Sequence, residues 1–223
     1  MTEAPATDIL SPPSQQPQNT VNGRYSHSVA ILFLRGKLAA FINPVVVGAY
    51  MRGFYIGRFQ PYHDGHHHMV EEIADQVDEL VLGIGSAGDS HTERNPFTAG
   101  ERVLMVSNSV AEFDLQTYVV PIEDLERNSV WVSHVQSMSP PFDVAFSNNP
   151  LVIRLFEEAG VEVRQSPMFH REVLEGSELR ERMIDGGEWR SLVPEPAVGV
   201  IEECDGVDRI QQVSDSDGVN GDR

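Results

Sequence analysis

Cysteine and lysine are nearly missing from this chain of 223 residues. The lone Cys204 rules out an internal disulfide, and with no secretory signal pattern this points to a cytoplasmic protein held together by its core alone. Lys37 is the one lysine, and 16 basic residues stand against 34 acidic ones, a formal net charge of −18. Such a surface repels nucleic acid. No apolar run approaches the roughly 18 uninterrupted residues of a membrane-spanning helix. Arg35 and Lys37 interrupt the apolar stretch that begins at Ser28, and Pro44 breaks its continuation. A CxxC pair, a Walker lysine loop and a zinc-binding HExxH helix are also missing, which removes three common chemistries from consideration. The length still allows one ample hydrophobic core.

What is present is unevenly spread. Residues 1–28 are rich in Ser, Pro, Gln, Thr and Asn, which bury too little apolar surface to offset chain entropy, so disorder is expected there. Residues 1–50 hold three basic and two acidic side chains, leaving 13 basic and 32 acidic for residues 51–223, a net charge of −19. The acidic character begins at Met51, directly before an apolar strand signal. The expected organisation is an N-terminal extension over 1–50, disordered or spurious, with Met51 as the true start. One domain follows over 51–213, and a flexible polar tail over 214–223.

From Met51 short apolar runs alternate with helical spacing. Strands are expected over 53–56, 79–85, 116–122, 142–147 and 161–163. A helix beginning near His66 reads clearly over 70–77, and others over 99–113, 129–136, 151–159, 178–185 and 193–204. Strands separated by helices predict an α/β fold: a doubly wound parallel sheet with C-terminal helices and ligands at the carboxyl ends of its strands.

The densest signal is Gly57-Arg58-Phe59-Gln60-Pro61-Tyr62-His63-Asp64-Gly65-His66. A strand runs into a glycine, whose missing Cβ lets backbone approach a ligand, then into a helix that opens with His-x-Gly-His. His63 and His66 would project beside the free N–H groups and positive dipole end of that helix, where phosphate oxygens fit. An isolated histidine run would read as a solvent-exposed cluster or an adventitious metal site. The order of strand, glycine, arginine, proline turn and His-x-Gly-His favours nucleotide binding, with His67 and His68 as ordinary first-turn helix residues. The string resembles the nucleotidyltransferase superfamily that shares the His-x-Gly-His signature. Within it the match is to the archaeal-type nicotinamide mononucleotide (NMN) adenylyltransferases. That resemblance implies a Rossmann-like nucleotidyltransferase fold and candidate ATP contacts at Gly57, Arg58, Phe59, Gln60, His63, Gly65 and His66.

Three later segments are similar to the same family. Ser90-His91-Thr92 followed by Asn95-Pro96-Phe97-Thr98-Ala99-Gly100-Glu101-Arg102 frames Arg94, whose counterpart contacts phosphate there. Thr98 and Glu101 read as a capping box, and Arg102 as a surface ion-pair partner on the helix. Asp124, Asn128 and Trp131 stand at i, i+4 and i+7, one face if the segment is helical. A tryptophan at helical spacing is by itself a core residue, but the resemblance implies that these three line the NMN pocket. Ser177 can cap a helix that carries Arg180 one turn on, a second phosphate site. Here Glu175 replaces the serine usual in the family.

The resemblance implies transfer of the adenylyl group of ATP to NMN, giving NAD and pyrophosphate. A phosphate monoester is already a competent nucleophile, so catalysis becomes positioning and charge stabilisation by His63, His66, Arg58, Arg94 and Arg180. Mg²⁺ is expected on the triphosphate, held chiefly by phosphate and water. A homo-oligomer, with a hexamer as one form, is implied as well, without nucleic-acid or membrane partners. Cytidylyl or phosphopantetheine transfer, and a non-catalytic nucleotide-sensing module on the same fold, stay open at this point.

Acid-rich, lysine-poor chains resemble those of salt-loving microbes, and a charge of −19 after Met51 carries a consequence for stability. The Debye length falls from about 30 Å at 0.01 M salt to about 3 Å at 1 M, so carboxylate repulsion fades as salt rises. The thermal midpoint should climb between roughly 0.05 and 3 M KCl. A flat or falling midpoint would refute the halophilic reading.

Overall fold

The computed structural model describes residues 30–34, 37–41, 50–165 and 176–220. The expected disorder over 1–28, and Glu175, lie outside these. The chain divides into two compact units, Met1–Gly48 and Ala49–Arg223. In the first, β1 (Ala30–Leu34) pairs antiparallel with β2 (Lys37–Phe41).

The second unit carries five parallel strands: β3 (Arg52–Gly57), β4 (Glu79–Ile84), β5 (Gln116–Pro121), β6 (Val144–Phe146) and β7 (Glu162–Arg164). Their order across the sheet is β5-β4-β3-β6-β7. The chain therefore winds outward from β3 in one direction and, after β5, returns to β3 to wind the other way. The order reverses between β3 and β6, the point at which such sheets open a ligand crevice. The expected doubly wound α/β fold is what the chain forms.

Strand pleating decides what packs where, because successive side chains face opposite sides. Leu80, Leu82 and Ile84 join one core with Val70 and Ile73 of α1 (Asp64–Ala74) and Met105 and Val106 of α2 (Ala99–Val110). Leu179 and Met183 of α5 (Gly176–Ile184) and Ala197 and Ile201 of α6 (Glu195–Glu203) complete it. Val81, with Phe54 and Ala145, faces the other side. There it packs with Val132 and Val135 of α3 (Trp131–Met138) and Phe156 of α4 (Pro150–Glu158).

The element boundaries differ from the sequence expectation in two informative places. Helix α1 starts at Asp64, two residues before His66, with His63 at its N-cap. Beyond α6 an unexpected helix, α7 (Gly206–Asn220), runs through much of the segment read as a flexible tail. Its composition is polar, but tertiary anchors override that weak propensity. Ile210 is fully buried, and Arg209 donates to both carboxylate oxygens of Glu101 at 2.7 and 2.8 Å. Arg209 also donates to the Pro96 and Cys204 carbonyls. Glu101 thus serves two ends at once, since its Oε2 also accepts from Thr98 N in the expected capping box.

Burial alone would raise the Glu101 pKa, but the Arg209 guanidinium and the Thr98 N–H outweigh it and hold the carboxyl below its usual range. A depressed folded-state pKa gives stability that is present above the unfolded value of about 4.3 and is lost as pH falls through the folded value. Arg209→Met should therefore cost about 2 kcal/mol near neutral pH, judged from two charge-assisted hydrogen bonds. The gap between the two proteins should shrink in melts below about pH 4. A gap independent of pH would mean that Arg209 contributes by packing alone.

Candidate active site

The site lies at the carboxyl ends of β3, β4 and β5, where the chain leaves the sheet. At the end of β3, a Cβ on Gly57 would sit 2.8 Å from the ring of Phe59. The glycine makes room for a side chain of the protein, which corrects the expectation that it clears space for a ligand. Phe59 takes a left-handed backbone conformation, φ 51°, and is buried in the core. Its ring meets His66 edge-on at 4.8 Å. Phe59 thus supports His66 from behind. Gln60 is buried as well. Its side-chain amide donates to Phe97 O and accepts from Phe97 N, both at 2.9 Å, so it is spent on tying the β4–α2 loop to the β3–α1 loop. Gly65 is the second residue of α1, inside the first turn.

The histidines come together as expected. Their ring centroids are 3.7 Å apart, stacked at 28°. The His63 N–H donates to His66 Nδ1 at 3.3 Å, which leaves the proton of a neutral His66 on Nε2. Burial, and then the Arg180 charge, push the His63 pKa down to about 4. Burial, and then His63, hold His66 well below the ordinary 6.5. Both rings are neutral at pH 7, and His63 Nδ1 is buried with no hydrogen-bond partner. His67 is held by Glu112 at 2.5 Å and by the Tyr62 hydroxyl, and His68 is exposed, as ordinary helix residues would be.

Three arginines converge on the same place. Arg58 is half-buried, its Nη1 enclosed without a partner. Its pKa is lowered by burial and then by the Arg94 charge. Arg180 on α5 is lowered by burial, then by Arg58, with Arg94 adding to the effect. Arg58 thus feels Arg94, and Arg180 feels both, a clustering of like charge that Asp124 beside Arg58 and Glu93 and Glu181 beside Arg180 partly offset. Arg180 Nη1 is fixed by the carbonyls of Gln60 (2.9 Å) and Gly176 (2.7 Å). A cavity of about 320 Å³ is lined by Thr92, Glu93, Arg94, Ser177, Arg180 and Glu181. Ser177 follows Gly176, the first residue of α5, and so lies inside the first turn instead of ahead of it.

Arg102 is not the surface ion-pair partner expected from sequence. It is fully buried, among the largest such side chains, and donates to the carbonyls of Arg58 (2.8 Å), Gly85 (2.7 Å) and Ser86 (2.9 Å). Its helix spacing held the clue. Arg102 stands on one stripe with Met105, Val106 and Ser109, all buried, so its position is internal despite its charge.

Asp124, Asn128 and Trp131 do not share a helix face. Residues 122–127 are irregular, and a 3₁₀ turn at Asn128–Val130 leads into α3. Asp124 instead accepts from Ser86 N (3.3 Å) and Ser86 Oγ (2.6 Å), a tie between the β4 and β5 loops. Asn128 is exposed, and Trp131 is half-buried, edge-on to Phe156 at 5.4 Å.

Residues 54–182 match the family model described as cytidylyltransferase-like. A nicotinamide-nucleotide adenylyltransferase of Halorubrum lacusprofundi is 74% identical over 171 residues, which are 77% of this chain and 97% of that protein. Its counterpart in Haloarcula marismortui is 70% identical over 169 residues, 76% of this chain and 90% of that one. Among solved structures, a bifunctional NMN adenylyltransferase/ADP ribose pyrophosphatase from Francisella tularensis superposes with a TM-score of 0.61 at 18% identity. The overlap covers 75% of this chain and 53% of that one, and it speaks for the fold alone.

The stacked histidine pair, with His63 buried and His66 half-buried, sets a pH signature. The unfolded chain takes up protons first, so folding stability should decline as pH falls from about 6.5 toward 4. In NMR titrations the His63 ring should change form near pH 4, and His66 should stay neutral throughout the range in which a solvated histidine titrates. A His63 midpoint near 6.5 would mean that the ring is wet.

Proposed function

Because the chain belongs to the nicotinamide-nucleotide adenylyltransferases, within the cytidylyltransferase-like family, we infer that it transfers the adenylyl group of ATP to NMN and so takes part in NAD biosynthesis. An oxygen of the NMN 5′-phosphate attacks the α-phosphorus of ATP and a new P–O bond forms. The bond from the α-phosphorus to its bridging oxygen breaks, and its electron pair leaves on pyrophosphate. No base is needed, because the attacking phosphate is already ionised at neutral pH. The family name that mentions cytidylyl transfer covers the broader fold, and the relatives most like this chain carry the adenylyl name.

The observation that carries the reading is that Arg180 interacts with Arg58, Arg94 and the neutral His63, with Arg58 Nη1 and His63 Nδ1 enclosed and unpartnered. A polyphosphate supplies the missing partners. In this proposal Arg58, Arg94 and Arg180 offset the triphosphate charge, and His66 donates from Nε2 as charge builds on the departing oxygens. His63 adds a second neutral ring beside it, and the Ser177 hydroxyl and the first turn of α5 offer further donors. NMN would rest near Asp124, Asn128 and Trp131, with its cationic ring against the tryptophan and its phosphate toward Arg94.

Mg²⁺ belongs to the proposal too. Among the described residues no three His, Cys, Asp or Glu side chains gather as a ligand set. Such a site fits a metal that arrives on the triphosphate, with Glu93 and Glu181 as the carboxylates of the cavity able to face its outer shell. Bound there, the ion would neutralise phosphate charge. A homo-oligomer, with the hexamer suggested by resemblance, and a cytoplasmic location complete the reading.

The test is a pyrophosphate-release assay with ATP, NMN and Mg²⁺ at molar salt, with NAD identified as product. His66→Ala should lower kcat by the equivalent of about 3–4 kcal/mol and leave ATP affinity nearly unchanged. Near-normal kcat would remove His66 from the mechanism, and failure of the native protein to form NAD would refute the function.

A further inference from the structure

Arg102 is charged, fully enclosed and without a carboxylate partner among the described residues. Its guanidinium touches four carbonyls: those of Arg58, Gly85 and Ser86, and at 3.3 Å that of Thr98 in its own helix. An apolar side chain of similar size would leave those carbonyls buried without a donor, so the position calls for a group that can reach several of them at once. What distinguishes the contacts is where they fall. Arg58 follows β3 and Ser86 follows β4, so one side chain fixes the exits of two neighbouring strands.

Ser86 is held from both sides. Its carbonyl goes to Arg102, and its N–H and hydroxyl go to Asp124. Its backbone is left-handed, φ 48°, a conformation that costs a non-glycine residue energy and persists only when the surroundings fix it. A continuous chain of contacts therefore runs from Arg58 through Arg102 and Ser86 to Asp124. One end belongs to the polyphosphate group of residues and the other to the proposed NMN group.

We propose that Arg102 is a positioning residue that aligns the two substrate halves of the site, holding Arg58 for the polyphosphate and, through Ser86, Asp124 for the nicotinamide nucleotide. The assignment of the two halves rests on the adenylyl-transfer reading, but the Arg58 arm does not require turnover. Arg102 never meets substrate. It acts through the loop ends it ties, and its charge adds a positive potential behind them. Arg102 stays protonated at neutral pH, because burial lowers its pKa only to about 10.

The probe is inorganic tripolyphosphate, titrated calorimetrically into the native protein and into Arg102→Lys, Arg58→Ala and the double variant. Arg102→Lys keeps the charge but cannot reach all three loop carbonyls. Affinity should fall about tenfold in Arg102→Lys, the effect of roughly one charge-assisted hydrogen bond, and by less than about twofold more when the change is added to Arg58→Ala. An equal loss with and without the Arg58 side chain, or no loss at all, would overturn the proposal. Should the lysine variant fail to fold, Ser86→Ala still tests the other arm, since it deletes only the hydroxyl bonded to Asp124. Its KM for NMN should rise roughly fivefold or more while that for ATP stays within about twofold. Equal changes in both, or none, would contradict the alignment role. Tripolyphosphate binding without any NAD formation by the native protein would refute adenylyl transfer, and the calorimetric cycle would still decide the role of Arg102.

Discussion

One buried guanidinium organises the functional end of this molecule. A parallel sheet leaves its strand ends frayed into separate loops, and each loop turns polar backbone groups inward that must find partners. Arg102 supplies them for the loops after β3 and β4, taking the carbonyls of Arg58, Gly85 and Ser86. With those oxygens turned toward the protein, the Arg58 side chain and the Ser86 N–H are free to serve other groups. Gln60 repeats the device between the β3 and β4 loops, and Arg180 ties α5 to the Gln60 carbonyl. The site is thus laced by polar side chains whose own hydrogen bonds are satisfied, and they hold in place the few that are not.

The unsatisfied groups are costly to the folded state. Arg58 Nη1 and His63 Nδ1 are buried without partners, and Arg58, Arg94 and Arg180 repel one another. Buried polar groups of this kind cost energy unless a partner arrives. The contrast with the whole chain is large, since a protein of net charge −18 concentrates positive charge at one crevice. Both proposed substrates are anionic. Guanidinium groups gathered in an otherwise acidic surface draw phosphate inward and give it few competing places to rest. Neutral histidines fit the same logic, because two imidazolium ions beside three arginines would be far harder to bury.

Much of the fold was legible in the chain. Alternating apolar runs and helical stretches predict the five strands and their doubly wound arrangement, and His-x-Gly-His marks the helix at the first strand exit. The less legible features all depend on contacts distant in sequence. Gly57 looked like space for a ligand, yet the space is filled by Phe59, two residues on, because Phe59 turns back with a left-handed backbone. Asp124 looked like the start of a helix face, yet Ser86, 38 residues earlier, claims its carboxylate and the segment stays irregular. Helix α7 has no local signature strong enough to announce it, and it is held by Ile210 in the core and by Arg209 on Glu101. Arg102 was read by its charge, although its spacing with Met105 and Val106 already placed it inside.

The central claim is that the arginine cluster is completed by the triphosphate and that Arg102 is complete without it. Nitrogen-detected NMR of the arginine side chains, followed while ATP is added to the native protein, tests both halves at once. The Arg58, Arg94 and Arg180 side-chain signals should shift and exchange more slowly with water. Arg102, already bonded to carbonyls in the free protein, should barely move. Arg58 and Arg180 signals that stay fixed at saturating ATP would contradict it.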